Sequence, residues 1–109
     1  QSNSWLCFDF KEHRIIPTGY SLRSCPWGVN SNHPKSWAIE CSNDNKSWET
    51  VDEEKDCSYL NGSNYSHTFT MNHQTSTEFR YIRIRLTGPE WSGNNYLIFD
   101  SFEIYGQYI

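Results

Sequence analysis

From Tyr81 to Leu86 the chain alternates without a break: Ile82, Ile84 and Leu86 fall on one side, Tyr81, Arg83 and Arg85 on the other. A two-residue period suits a half-buried β-strand and excludes a helix, because only an extended chain turns successive side chains to opposite faces. The strand is expected to run from Phe79 to Thr87. No segment elsewhere holds a 3.6-residue apolar period over three turns, so strands must build the rest of the molecule as well.

Six further runs fit that reading. Trp5–Phe10 is a short aromatic strand. Ile15–Leu22 is a second, bent or partly at an edge because of Pro17 and Gly19. Trp37, Ile39 and Cys41 alternate with Ser36, Ala38 and Glu40 as a third, expected to bury one face. Trp48–Val51 and Ser66–Met71 are extended. Leu97–Tyr105 is the last, with Phe102 and Ile104 inward. Between them Ser42–Ser47 is a turn, since Ser, Asn and Asp side chains bond their own backbone. Arg23–Lys35, Asp52–Asn64 and Gly88–Asn95 are loops by composition. The fold class that follows is all-β, an antiparallel sandwich.

A chain of 109 residues fits one domain, residues 1–109. Its five Trp, seven Tyr and six Phe provide a core that disordered chains lack. The net charge of −4 argues against a nucleic-acid partner and makes an anionic membrane a poor one, because both need a basic surface. No apolar run is long enough to span a bilayer.

Cys7, Cys25, Cys41 and Cys57 have no CxxC spacing, which removes the usual zinc motif. Cys7 and Cys41 sit in apolar strand patterns where a thiol acts as a small hydrophobe. Free thiols and a reducing compartment are the expectation, ahead of the three disulfide pairings that four cysteines allow. Sequons at Asn45, Asn61 and Asn64 arise readily by chance in so Asn- and Ser-rich a chain.

Four segments, in order, resemble discoidin (coagulation factor 5/8 type C) domains. They are Trp5–Phe10, Trp37–Trp48, Phe79–Ile84 and the closing Phe102-Glu103-Ile104-Tyr105-Gly106. The resemblance implies a galactose-binding-like jelly roll and a non-catalytic recognition role. It also implies an additional leading strand that is not seen before Trp5, so an unpaired edge would invite a homodimer. The end-to-end disulfide of extracellular members is impossible, with no cysteine after Cys57. The wording is most similar to intracellular members attached to BTB, kelch-like or ubiquitin-ligase-type proteins, hence a cytoplasmic location.

Within this frame Asp44 closes the hairpin turn and Trp48 lays its ring back over the Trp37–Cys41 strand. Arg83 and Arg85 are expected to meet Glu103 or Asp9, or simply to face solvent.

Connections in an antiparallel sandwich alternate between its ends, so Arg23–Lys35, Asp52–Tyr65 and Gly88–Asn95 should cluster at one end. Rigid sandwiches place binding on such loops. Trp27 and Trp91, each next to or near a glycine, are candidate stacking platforms, although either ring can instead plug the end of the sandwich. Arg23 and His33 are candidate polar contacts. Asn94, Asn95 and Tyr96 are candidate partners for a peptide backbone or sugar hydroxyls.

The expected partner is a protein or peptide, with a glycan as the alternative. No cofactor and no metal site is expected: the acidic run Asp52, Glu53, Glu54, Asp56 has no calcium-loop spacing and reads as solvated loop. No GxSxG, HExxH or phosphate loop suggests an enzyme.

Overall fold

The computed structural model describes residues 4–109 and contains seven strands. They are β1 (Trp5–Asp9), β2 (Ile15–Arg23), β3 (Trp37–Ser42), β4 (Glu49–Glu54), β5 (Ser66–Thr70), β6 (Tyr81–Leu86) and β7 (Ser101–Tyr108). One sheet has the order β1-β6-β3-β4 and the other β5-β2-β7; every pairing is antiparallel. The two sheets stack as a sandwich, as the alternation requires.

The β6 period survives intact, with Ile82, Ile84 and Leu86 buried and Tyr81, Arg83 and Arg85 half-buried. Ile82 and Ile84 join Ile15, Tyr20, Leu22, Trp37, Ile39, Val51, Leu60 and Phe69 in one core. Phe69 stacks on Tyr20 at 5.0 Å and meets Trp37 edge-on at 5.4 Å, both favourable ring geometries. Phe102 and Ile104 pack against this core but stay partly exposed. Between β2 and β7 the backbones approach so closely that a Cβ on Gly106 would lie 2.1 Å from the Ile16 carbonyl oxygen. Only glycine fits there.

The hairpin after β3 is closed as its sequence implies. Asp44 Oδ1 accepts from the backbone N–H of Lys46 at 2.9 Å and Ser47 at 2.8 Å, and from the Ser42 hydroxyl. These donors hold the Asp44 carboxyl at about 2.

Five expectations need correction. First, β3 is buried on both faces, not one. It lies between β6 and β4, and its outward residues Ala38 and Glu40 are roofed by the long Arg83 and Arg85 side chains. Second, those arginines bond neither Asp9 nor Glu103: both reach Glu40, while Asp9 holds Arg80. Third, the Trp48 ring reaches past β3 to the strand beyond it. It lies 3.9 Å from the Arg83 guanidinium and faces Tyr81, both on β6.

Fourth, Asp52–Glu54 is strand and not solvated loop. A bulge between Ile39 and Glu40 in the β3–β4 ladder leaves Val51 without a partner, and Val51 and Asp52 are both buried. Asp52 is satisfied there by the Tyr20 hydroxyl and the Asn72 backbone N–H, and Trp37 Nε1 donates to the Tyr20 oxygen. Fifth, the last strand starts at Ser101, and Leu97–Phe99 lies outside any ladder.

Candidate functional site

The three long loops meet at one end of the sandwich, stitched to each other by backbone and side-chain bonds. Between the β2–β3 and β4–β5 loops, Ser24 N–H donates to the Tyr65 carbonyl and Asn64 N–H to the Cys25 carbonyl. Cys57 N–H bonds the Lys35 carbonyl. At the tips the Asn30 N–H donates to Asn61 Oδ1 at 2.7 Å, and Asn61 Nδ2 returns a bond to Asn30 Oδ1 at 3.1 Å. Trp91 N–H bonds the His33 carbonyl, which brings in the β6–β7 loop.

Glu90 is the knot of this end. Its side chain is buried, and its two oxygens accept from the Asn32 amide, the Ser92 hydroxyl and the backbone N–H groups of Ser92, Asn94 and Tyr96. Burial pushes its carboxyl up, but the Ser92, Asn32, Asn94 and Tyr96 donors more than offset this and hold it below the ordinary range. One carboxylate therefore ties the β2–β3 loop to the β6–β7 loop. A glutamate in a Gly/Pro/Asn-rich loop was the only sequence trace of this role.

His33 is buried too, its Nε2 within 3.0 Å of the Trp27 carbonyl and 2.9 Å of the Gly28 carbonyl. Its ring sets the β2–β3 turn from inside, so it is not the exposed polar contact anticipated. Trp91 is half-buried: Nε1 donates to the Cys57 carbonyl at 3.1 Å and the Lys35 ammonium sits 4.6 Å from its ring. Its indole is largely committed to the scaffold.

The other candidates remain at the surface. Arg23 is exposed at the end of β2, near Asp100 at 3.7 Å. Asn94 is exposed and bonds Ser92 Oγ; Asn95 is half-buried, its carbonyl taking the Ser4 hydroxyl. Tyr96 is 60% exposed. It flanks a side groove of about 570 Å³ lined by Trp5, Leu6 and Leu97–Phe99. Trp27 is 44% exposed, and Val29, two residues on, 65%.

Sequence reasoning missed the exposed aromatics of the β4–β5 loop. Tyr65 is 50% exposed beside Asn64, and Tyr59, 59% exposed, stacks on His67 at 4.3 Å. Their signal was present as exposed tyrosines in a polar loop, but nothing local tells a loop ring that packs from one that projects.

Cys25 and Cys57 border this end. All four cysteines are separate thiols, each pushed up chiefly by burial, Cys41 to about 12. None is poised as a nucleophile.

The family model described as F5/8 type C domain matches residues 1–100. The E3 ubiquitin-protein ligase hecd-1 of Caenorhabditis elegans is 33% identical over 96 residues, 87% of this chain and 4% of its own length. This chain therefore spans a small part of that relative. Among solved structures, the C-terminal domain of a chitobiase from Bacteroides fragilis superposes with a TM-score of 0.65 at 20% identity, covering 100% of this chain and 66% of that one. The family 32 carbohydrate-binding module of Streptococcus pneumoniae EndoD gives 0.64 at 8% identity, covering 98% and 72%. At such identities the likeness is one of fold.

Proposed function

Because the chain belongs to the F5/8 type C domain family, we propose that it is a non-catalytic module which recognises a protein or peptide through its cross-linked loop end. In this reading it serves a larger intracellular protein of the ubiquitin-ligase type, a role supported by the likeness to the worm ligase. The observation behind it is the exposure of Trp27, Val29, Tyr59 and Tyr65 on loops that hydrogen bonds tie to one another. Large rings presented on a pre-organised surface give contact area at little entropic cost, which is how protein hot spots are made.

A glycan is the second reading. The flat Tyr59–His67 stack suits a sugar face, and a carbohydrate-binding module shares the fold. A lipid surface fits poorly, since Lys35, a loop lysine, lies 3.8 Å from Asp56 and against Trp91.

The test pairs a pulldown of interacting proteins with a glycan array, each on wild type and Trp27→Ala. A directly binding protein partner lost in the variant, with an empty array, supports the proposal. A sugar hit lost in the same variant replaces it with the glycan reading.

A further inference from the structure

An edge strand of a sheet presents a row of unpaired backbone groups to any chain of matching shape. The four edges here are β1, β4, β5 and β7, and they differ in charge and cover. β1 carries Asp9, and β7 carries Glu103. β4 carries four carboxylates and is partly closed: His73 N–H bonds the Val51 carbonyl and Glu53 N–H bonds Asn72 Oδ1. β5, with the sequence Ser-His-Thr-Phe-Thr, has no Lys, Arg, Asp, Glu or Pro. Nothing on it repels an approaching strand.

The register shows which of its groups are free. Ser24 N–H bonds the Tyr65 carbonyl and Met71 N–H the Thr18 carbonyl, flanking the β2–β5 ladder. Hydrogen-bonded pairs alternate along an antiparallel ladder, so Tyr65, His67, Phe69 and Met71 bond toward β2. Ser66, Thr68 and Thr70 therefore aim their N–H and C=O outward, and these groups have no backbone partner among the described residues. All three residues are exposed. Beside them lie two exposed rings, Tyr59 stacked on the inward-facing His67, and Tyr65 at the head of the strand.

We infer that β5 is a docking edge for an extended peptide of low charge, which adds as a fourth strand beside Ser66–Thr70. This deepens the protein-partner reading and rests on it. Main-chain bonds to Ser66, Thr68 and Thr70 supply affinity, as in other strand additions. Every second peptide side chain meets the Tyr59–His67 stack and is apolar or aromatic. The intervening ones lie beside the hydroxyls of Ser66, Thr68 and Thr70, which share the exposed face of the strand, and are polar.

The test selects binders from a displayed library of short random peptides and measures them against wild type, Thr68→Pro, Tyr59→Ala and Trp27→Ala. Proline at 68 removes an outward N–H and takes no hydrogen bond from the β2 ladder. The selected peptides should alternate apolar and polar residues. They should bind Thr68→Pro about tenfold or more weakly, and Tyr59→Ala more weakly than wild type. On the wild-type protein they should slow hydrogen exchange at the Ser66, Thr68 and Thr70 amides. The last readout stands even if the proline variant does not fold. A selection with no binder, or binders that leave those amides unprotected and bind Tyr59→Ala undiminished, overturns the inference. Binders lost only in Trp27→Ala leave the loop-end reading standing and remove the strand-addition one.

Discussion

Arg85 and Glu40 meet diagonally across neighbouring strands in a two-bond, side-on arrangement, Nε to Oε1 at 3.0 Å and Nη2 to Oε2 at 2.9 Å. Arg83 adds a third bond to Oε1 at 2.7 Å, and its guanidinium lies against Trp48. One carboxylate, with only 8% of its side chain exposed, thus anchors two cations on the outside of the four-stranded sheet.

Replacing Glu40 with Gln should cost about 2 kcal/mol in denaturant unfolding. The figure sits below that for a fully buried pair because both arginines keep some access to water. Burial pushes the Glu40 carboxyl up, but bonds to Arg85 and Arg83 outweigh it and leave the group below its ordinary value. A lowered folded-state value means the stabilisation is complete above the unfolded value of ~4.3 and fades as pH falls through the folded one. The gap between wild type and Glu40→Gln should therefore shrink in acid, and a gap that stays constant down to acid unfolding would refute the pairing as its source.

Glu54 behaves in the opposite way. Burial, and then the charge of Asp52 and a hydrogen bond with it, push its carboxyl above the usual range. A raised folded-state value means stability is full below the unfolded value and declines as pH rises through the folded one. Glu54→Gln should then raise Tm at neutral pH and change little at pH ~4, near the unfolded value. Thermal melts at the two pH values decide it, and a variant less stable than wild type at neutral pH would count against the crowding of these two carboxylates.

Glu90→Gln should loosen the loop end without unfolding the sandwich. The amide offers a donor where hydroxyl, amide and backbone donors already converge, so at least one buried bond is lost, worth about 1–3 kcal/mol. Hydrogen exchange should quicken at Ser92, Asn94 and Tyr96 while the β6 amides keep their protection. Equal acceleration in both places would mean that Glu90 supports the whole domain and not the loops.

Much of this architecture is written locally. The Ile82–Ile84–Leu86 alternation fixes a strand and its inward face, because the side-chain period of an extended chain is a property of the backbone alone. Asp44 closes its turn through neighbours two and three residues away, which any structure containing that turn would reproduce. Antiparallel order alone sends the three long loops to one end. Contacts between distant segments were not legible. Glu40 lies 45 residues from Arg85 in sequence and meets it only because β3 pairs with β6 in one particular register. The bulge that leaves Val51 unpaired, with Asp52 buried beside it, is likewise a product of the ladder. At the loop end, burial of His33 and Glu90 and projection of Trp27, Tyr59 and Tyr65 were decided where three loops converge. A loop side chain has no period to declare its face; the segments that cover it, or fail to, do so.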